Sequence, residues 1–211
     1  MTALRGLYAI TPDSDAAPEQ LASQVARAIA GGARLIQYRY KGTDRALQQA
    51  QAAAIQRVCR AASVPLIIND DIALACTLAA DGVHLGRDDA DPTEARRRLG
   101  PAAIIGVSCY DDLARARVAA AAGASYVAFG SFFHSTTKPR AVRSPATLLT
   151  AARRELSVPL VAIGGITPQN GRSLVAAGAA MLAVLSGVFA QPDIAAAARA
   201  YASLFVDGDP R

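Results

Sequence analysis

The 211-residue sequence predicts an α/β protein, a single-domain (β/α)8 TIM barrel built from residues 1–211. Three observations carry that expectation. Eight short apolar runs punctuate the chain, Ala-rich stretches of helical composition alternate with them, and several runs end in glycine or a polar residue. Parallel strands covered by helices are buried on both faces, so they read as nearly continuous apolar runs. In a barrel their carboxyl ends gather at one rim, which is where such folds carry their chemistry. An open doubly wound sheet is the alternative use of the same units.

Taken in order, the first run is LYAIT (7–11), and the second, LIQYR (35–39), follows the Ala-rich phrase AIAGGA. Glycine stops a helix there because it accepts the left-handed conformation beyond the last turn. The phrase returns in TLAADGVHLG (77–86), AAAAGASYVAFG (119–130) and LVAAGAAMLAVLSG (174–187), delivering the runs VHLG (83–86), YVAFG (126–130) and LAVLS (182–186). A second repeated phrase opens SVPLIIN (63–69) and SVPLVAIGG (157–165), where proline fixes an extended entry into LIIN (66–69) and LVAIG (160–164). IIGVS (104–108) completes the set.

Composition excludes several classes of function. With 52% hydrophobic and 18% charged residues the chain is globular, not disordered. The net charge of +5 is carried by scattered Arg and Lys, and 5% aromatics is too few for a base-stacking surface, so no nucleic acid is expected. Cys59, Cys76 and Cys109 form neither a CxxC pair nor an even disulfide framework, and two histidines do not complete a zinc set. Met1 to Thr11 lacks a signal peptide's apolar core, and no apolar run reaches the length of a membrane span. A soluble cytoplasmic protein with no membrane partner is the expectation.

The strand ends carry the candidate chemistry. At a period of two, Gln37, Arg39 and Lys41 share one face of strand two, while Tyr38 and Tyr40 turn toward the helix layer or its edge. Strand three runs into Asn69, Asp70 and Asp71, strand four through Gly86 to Asp88 and Asp89, and strand five to Ser108. Strand six leads into SFFHSTTKPRA, with Ser135, Thr136, Thr137 and Lys138. Asp71, Asp88, Asp91 and Asp111 are read as ordinary helix starters. Asp70 and Asp89 beside cations suit a metal diphosphate, since Mg2+ takes one or two carboxylates and fills its octahedron with phosphate oxygens and water. IGGIT (163–167) and LSGVF (185–189) stand where this barrel commonly holds a phosphate on backbone N–H groups. His84, in an apolar strand, is read as a packed or hydrogen-bonded core residue.

These motifs in this order, LYAIT, Q-Y-R-x-K, IIND-D, ADGVHLG-x-x-D, IGVSC, AFGSFF with TKP, AIGGIT-x-x-N and the final L-S-G, resemble the thiamine phosphate synthases over nearly the full chain. The resemblance implies coupling of an aminopyrimidine methyl diphosphate to a (carboxy)thiazole ethyl phosphate, giving thiamine monophosphate and pyrophosphate with Mg2+. It implies pyrimidine diphosphate binding by Gln37, Tyr38, Arg39, Tyr40, Lys41, Asn69, Ser108 and Lys138, with Arg39, Lys41 and Lys138 catalytic. Asp70 and Asp89 become the metal ligands, and Ser135, Thr136, Thr137, Gly165, Leu185 and Ser186 the thiazole phosphate site. The chain departs from that pattern at Tyr40, where an acid is common, at Arg87, where Gln is common, at Ser131 and His134, where Pro is frequent, and at Ser135, a replacement for Thr. A thiazole tautomerase or a non-catalytic thiamine-phosphate sensor on the same barrel are the alternatives; the cation and carboxylate set favours the synthase.

Overall fold

The computed structural model describes residues 4–134 and 143–205. The chain runs β1 (Gly6–Ile10), α1 (Pro18–Ala30), β2 (Ala33–Tyr38), α2 (Arg45–Ala61), β3 (Leu66–Asn69), α3 (Ile72–Leu78), β4 (Gly82–Leu85) and α4 (Pro92–Leu99). It continues through β5 (Ile104–Tyr110), α5 (Leu113–Ala121), β6 (Tyr126–Phe129), α6 (Thr147–Glu155), β7 (Leu160–Ile163), α7 (Pro168–Ala176), β8 (Met181–Val184), α8 (Ser186–Phe189) and α9 (Ile194–Ala202). The strands pair in sequence order into a closed, all-parallel barrel, and β8 returns to β1 with Leu7 opposite Leu182. The expected (β/α)8 barrel is therefore present, and closure rules out the open sheet.

Two apolar layers hold it. Tyr8, Ile10, Leu35, Ile67, Tyr126, Val161 and Met181 fill the barrel's interior. Leu7, Ile36, Ile68, Val83, Val127 and Leu182 face outward and join helix residues such as Val25, Ile55 and Leu149. Neighbouring strand residues thus split between the two clusters, which is why both faces had to be apolar. Each fully buried aliphatic side chain contributes roughly 1.5–3 kcal/mol of burial.

The helix ends follow the expected rule in three places, with Gly32, Gly123 and Gly178 at φ 103°, 87° and 114°. After α3 the rule shifts: Ala79 takes the left-handed conformation at φ 48°, and Gly82 serves β4 instead, where a Cβ would lie 1.8 Å from the Ile104 carbonyl oxygen. Two strand ends also differ from expectation by more than one residue. The fifth strand continues past Ser108 to Tyr110 through an irregularity in its pairing with β6, and the eighth stops at Val184, so Ser186 opens α8. Cys59, Cys76 and Cys109 are free, and among the described residues no helix is long and apolar enough to cross a membrane.

Candidate active site

The end of β2 keeps its alternation beyond the last paired residue because side chains of the loop after β1 replace strand carbonyls. The Arg39 amide donates to Thr11 Oγ1 at 3.0 Å, and the Lys41 amide donates to Asp13 Oδ1 at 2.7 Å. Gln37 therefore points inward, buried, and Arg39 follows it to the barrel mouth, its guanidinium 3.9 Å from Asp13. Lys41 donates to Asp70 Oδ2 at 2.5 Å. The Tyr38 side chain lies in the helix layer, as its register implies and apart from the inward side chains of the expected ligand set; it is 1% exposed and donates to Gln51 Oε1 of α2 at 2.8 Å. An odd-numbered neighbour faces the mouth, so an even-numbered one on the same strand cannot. Tyr40 also turns outward, donating to Asp15 Oδ1 at 3.3 Å and folding over Gly42, where a Cβ would meet its hydroxyl at 2.3 Å.

The carboxylates converge from two loops. Asp70, directly after β3, takes φ 62°, a left-handed conformation that is uncommon outside glycine, and its amide donates to the His84 carbonyl at 2.9 Å. Asp70 Oδ2 also accepts from Asn69 Nδ2 at 2.6 Å, and Asp89 Oδ2 accepts from the Gly86 amide at 2.6 Å. Burial and then a hydrogen bond with the Asp70 carboxyl hold Asp89 above its ordinary value. Two carboxyl groups forced into one place fit a divalent cation, which removes their repulsion. Among the described residues no cluster of three or more His, Cys, Asp or Glu that could hold a metal forms, so the protein offers two carboxylates, a number that Mg2+ can use when other oxygens complete its shell. Asp71 and Asp91 are helix caps as expected, accepting from the Leu74 and Thr93 amides, but α5 is capped by Asp112 in place of Asp111. Asp88 lines the cavity.

Gln37, Arg39, Asn69, Ser108, Gly165, Leu185 and Ser186 share the wall of one cavity of about 1210 Å3 at the barrel mouth. Tyr40, Lys41 and Asp70 border an adjoining recess of about 650 Å3, and Asn69 borders both. Gly165 has φ 63°, and a Cβ there would sit 2.2 Å from the His134 carbonyl oxygen, so only glycine brings the two loops together. Asn170 Nδ2 donates to the Gly165 carbonyl at 3.1 Å while its Oδ1 accepts from the Thr167 amide, tying that loop to the start of α7. Ser135, Thr136, Thr137 and Lys138 lie outside the described residues.

The barrel floor holds what sequence reasoning missed. Gln37 Nε2 donates to the Tyr8 hydroxyl at 2.6 Å, Tyr8 meets the Tyr126 hydroxyl at 2.7 Å, Tyr126 meets His84 Nδ1 at 2.9 Å, and His84 Nε2 meets Ser108 Oγ at 2.8 Å. His84 is hydrogen-bonded in the core, as read, and it also borders the cavity. The only signal available was polar residues in otherwise apolar strands. His84 does pair with a serine, but its other nitrogen meets a phenol and not a carboxylate, so the arrangement lacks a triad's third member. Arg87 stacks its guanidinium 4.7 Å from the centre of the Tyr110 ring at the cavity wall. Cys109 is buried, and burial pushes its thiol up to about 12, so it is no nucleophile at neutral pH.

A family profile described as thiamine monophosphate synthase matches residues 7–188. The chain belongs to the thiamine monophosphate synthase family. Within that family it is 55% identical over 204 residues to the thiamine-phosphate synthase of Aromatoleum aromaticum, covering 97% of this chain and 98% of that one. It is 55% identical over 202 residues to the thiamine-phosphate synthase of an Azoarcus species, covering 96% and 98%. Among solved structures, a thiamine phosphate pyrophosphorylase from Pyrococcus furiosus superposes with a TM-score of 0.83 at 29% identity, covering 96% of each chain.

Proposed function

We propose that the chain is a thiamine-phosphate synthase, joining an aminopyrimidine methyl diphosphate to a thiazole ethyl phosphate to give thiamine monophosphate and pyrophosphate. The observation that carries this reading is the meeting of Lys41 with Asp70 and of Asp70 with Asp89, beside Arg39 and a cavity large enough for two small ligands. A tautomerase has no need of a metal diphosphate site. The free cysteines suit a reducing cytoplasm.

Gln37, Asn69 and Ser108 present polar groups to the pyrimidine end, while Gly165, Leu185 and Ser186, with Ser135, Thr136 and Thr137, receive the thiazole phosphate. Asp70 and Asp89 would hold Mg2+, which supplies charge neutralisation at the diphosphate. Electron release from the pyrimidine amine expels the diphosphate: the C–O bond breaks, its electron pair leaves with the oxygen, and the thiazole nitrogen lone pair captures the methylene cation. Arg39, Lys41 and Lys138 meet the charge growing on the departing oxygens, an interaction stronger in the transition state than in the ground state.

Purified protein given both phosphorylated precursors and Mg2+ should release thiamine monophosphate and pyrophosphate in equal amounts. Isomerisation of the thiazole alone, with neither product at high protein concentration, would reject the synthase in favour of the tautomerase; tight binding without turnover would favour a sensor.

A further inference from the structure

Five side chains from five strands form one hydrogen-bonded line across the barrel floor, from Gln37 through Tyr8, Tyr126 and His84 to Ser108. Burial raises both phenols well above their ordinary value, so each keeps its single proton at any working pH. Their rings are locked edge to face, with centroids 5.7 Å apart. A phenol has one hydrogen to give. With the Tyr8 oxygen accepting from Gln37 Nε2, each hydrogen finds a partner when the Tyr8 hydroxyl donates to the Tyr126 oxygen and the Tyr126 hydroxyl donates to His84 Nδ1. The amide of Gln37 is thereby pinned with Nε2 inward. Its Oε1 has no hydrogen bond among the described residues, and Gln37 lines the cavity, so what it offers there is an acceptor.

We propose that Tyr8, backed by Tyr126, is a positioning residue that locks the Gln37 carboxamide in one orientation, so that the site selects a pyrimidine bearing an exocyclic amine over one bearing an oxo group at that position. An amine N–H completes the Gln37 acceptor, whereas an oxo oxygen sets lone pair against lone pair and leaves a buried group unpaired. An amide free to rotate by half a turn would present N–H and accept either ring. The inference rests on the reading that the pyrimidine binds at Gln37.

The test is calorimetric titration of the protein with an aminopyrimidine methyl monophosphate and with its oxo counterpart. The wild type should prefer the amine by about 100-fold or more. Tyr8→Phe should narrow that ratio by about tenfold, one hydrogen bond's worth, and leave thiazole phosphate affinity unmoved. Tyr126→Phe should narrow it too, because Tyr8 then turns its orphaned proton onto Gln37 Oε1; this variant carries the test if Tyr8→Phe does not fold. An unchanged ratio in the folded variants, or no preference in the wild type, overturns the lock. Product formation by a wild type whose variants keep the ratio rejects the lock alone, whereas a narrowed ratio without product from the wild type supports the lock and rejects the synthase.

Discussion

Asp89 sits where a single charge has opposite effects with and without a cation. Its carboxyl faces that of Asp70, whose Oδ2 already accepts from Lys41 and Asn69. In metal-free protein Asp89→Asn removes a like-charge contact and should raise the melting temperature by about 2 °C, the equivalent of under 1 kcal/mol for a chain of this size. The same variant should lose most of the shift that Mg2+ gives the wild type. Scanning calorimetry with and without Mg2+ checks both halves; a variant that keeps the full Mg2+ shift sinks the metal assignment. At this scale, period-two alternation made Gln37, Arg39 and Lys41 legible, because a side chain's face follows from its register alone. It made Tyr38 legible as well, as a residue whose side chain turns outward to Gln51. Tyr40 also follows its register: the acid missing from position 40 is matched by Asp15 on the neighbouring loop, which accepts from the phenol. Asp13 was invisible, since nothing in a lone loop aspartate announces that it caps a backbone amide 28 positions away.

The loop between β1 and α1 is the element that aims the cations. Thr11 and Asp13 hold the amides of Arg39 and Lys41, and Gln51 of α2, wholly buried, holds the loop itself by donating to the Ser14 and Ala16 carbonyls at 3.0 and 2.7 Å while accepting from Tyr38. Asp13→Ala should raise KM for the pyrimidine diphosphate by about tenfold, one charge-assisted hydrogen bond, and leave KM for the thiazole phosphate unchanged. Asp13→Asn, which keeps the Oδ1 acceptor, should recover most of the loss; steady-state kinetics with each substrate varied in turn separates these outcomes. Gln51→Leu leaves two carbonyls and a phenol without their partner and should cost about 3 kcal/mol in urea unfolding. A loss under about 0.5 kcal/mol would mean water replaces the amide. Helices and strands were readable element by element because apolar runs, Gly stops and Asp caps act locally. The loop's grip on β2 joins residues distant in sequence, and no local signal encodes it.

Closure of the whole barrel sets how much room its floor allows. Eight strands leave an interior just wide enough for side chains, so a large ring on one strand needs space on the next. Tyr126 takes that space from Gly106: a Cβ on Gly106 would lie 2.0 Å from Tyr126 Cζ and 2.2 Å from its hydroxyl. The eightfold count of β-α units made the barrel readable, but the pairing of a glycine on β5 with a tyrosine on β6 depends on register across strands, which the count leaves open. Gly106→Ala should therefore cost about 3 kcal/mol, since Tyr126 is fully buried and its ring is hemmed by Tyr8 and His84. Tyr126→Leu also destabilises alone, through the cavity it leaves. In the double variant the added methyl enters that space, so the two losses should fall short of their sum by about 1 kcal/mol or more. Chemical denaturation of the wild type, both single variants and the double variant measures this coupling. Strict additivity would show that Gly106 and Tyr126 do not share one space, and the floor would owe its shape to something other than barrel width.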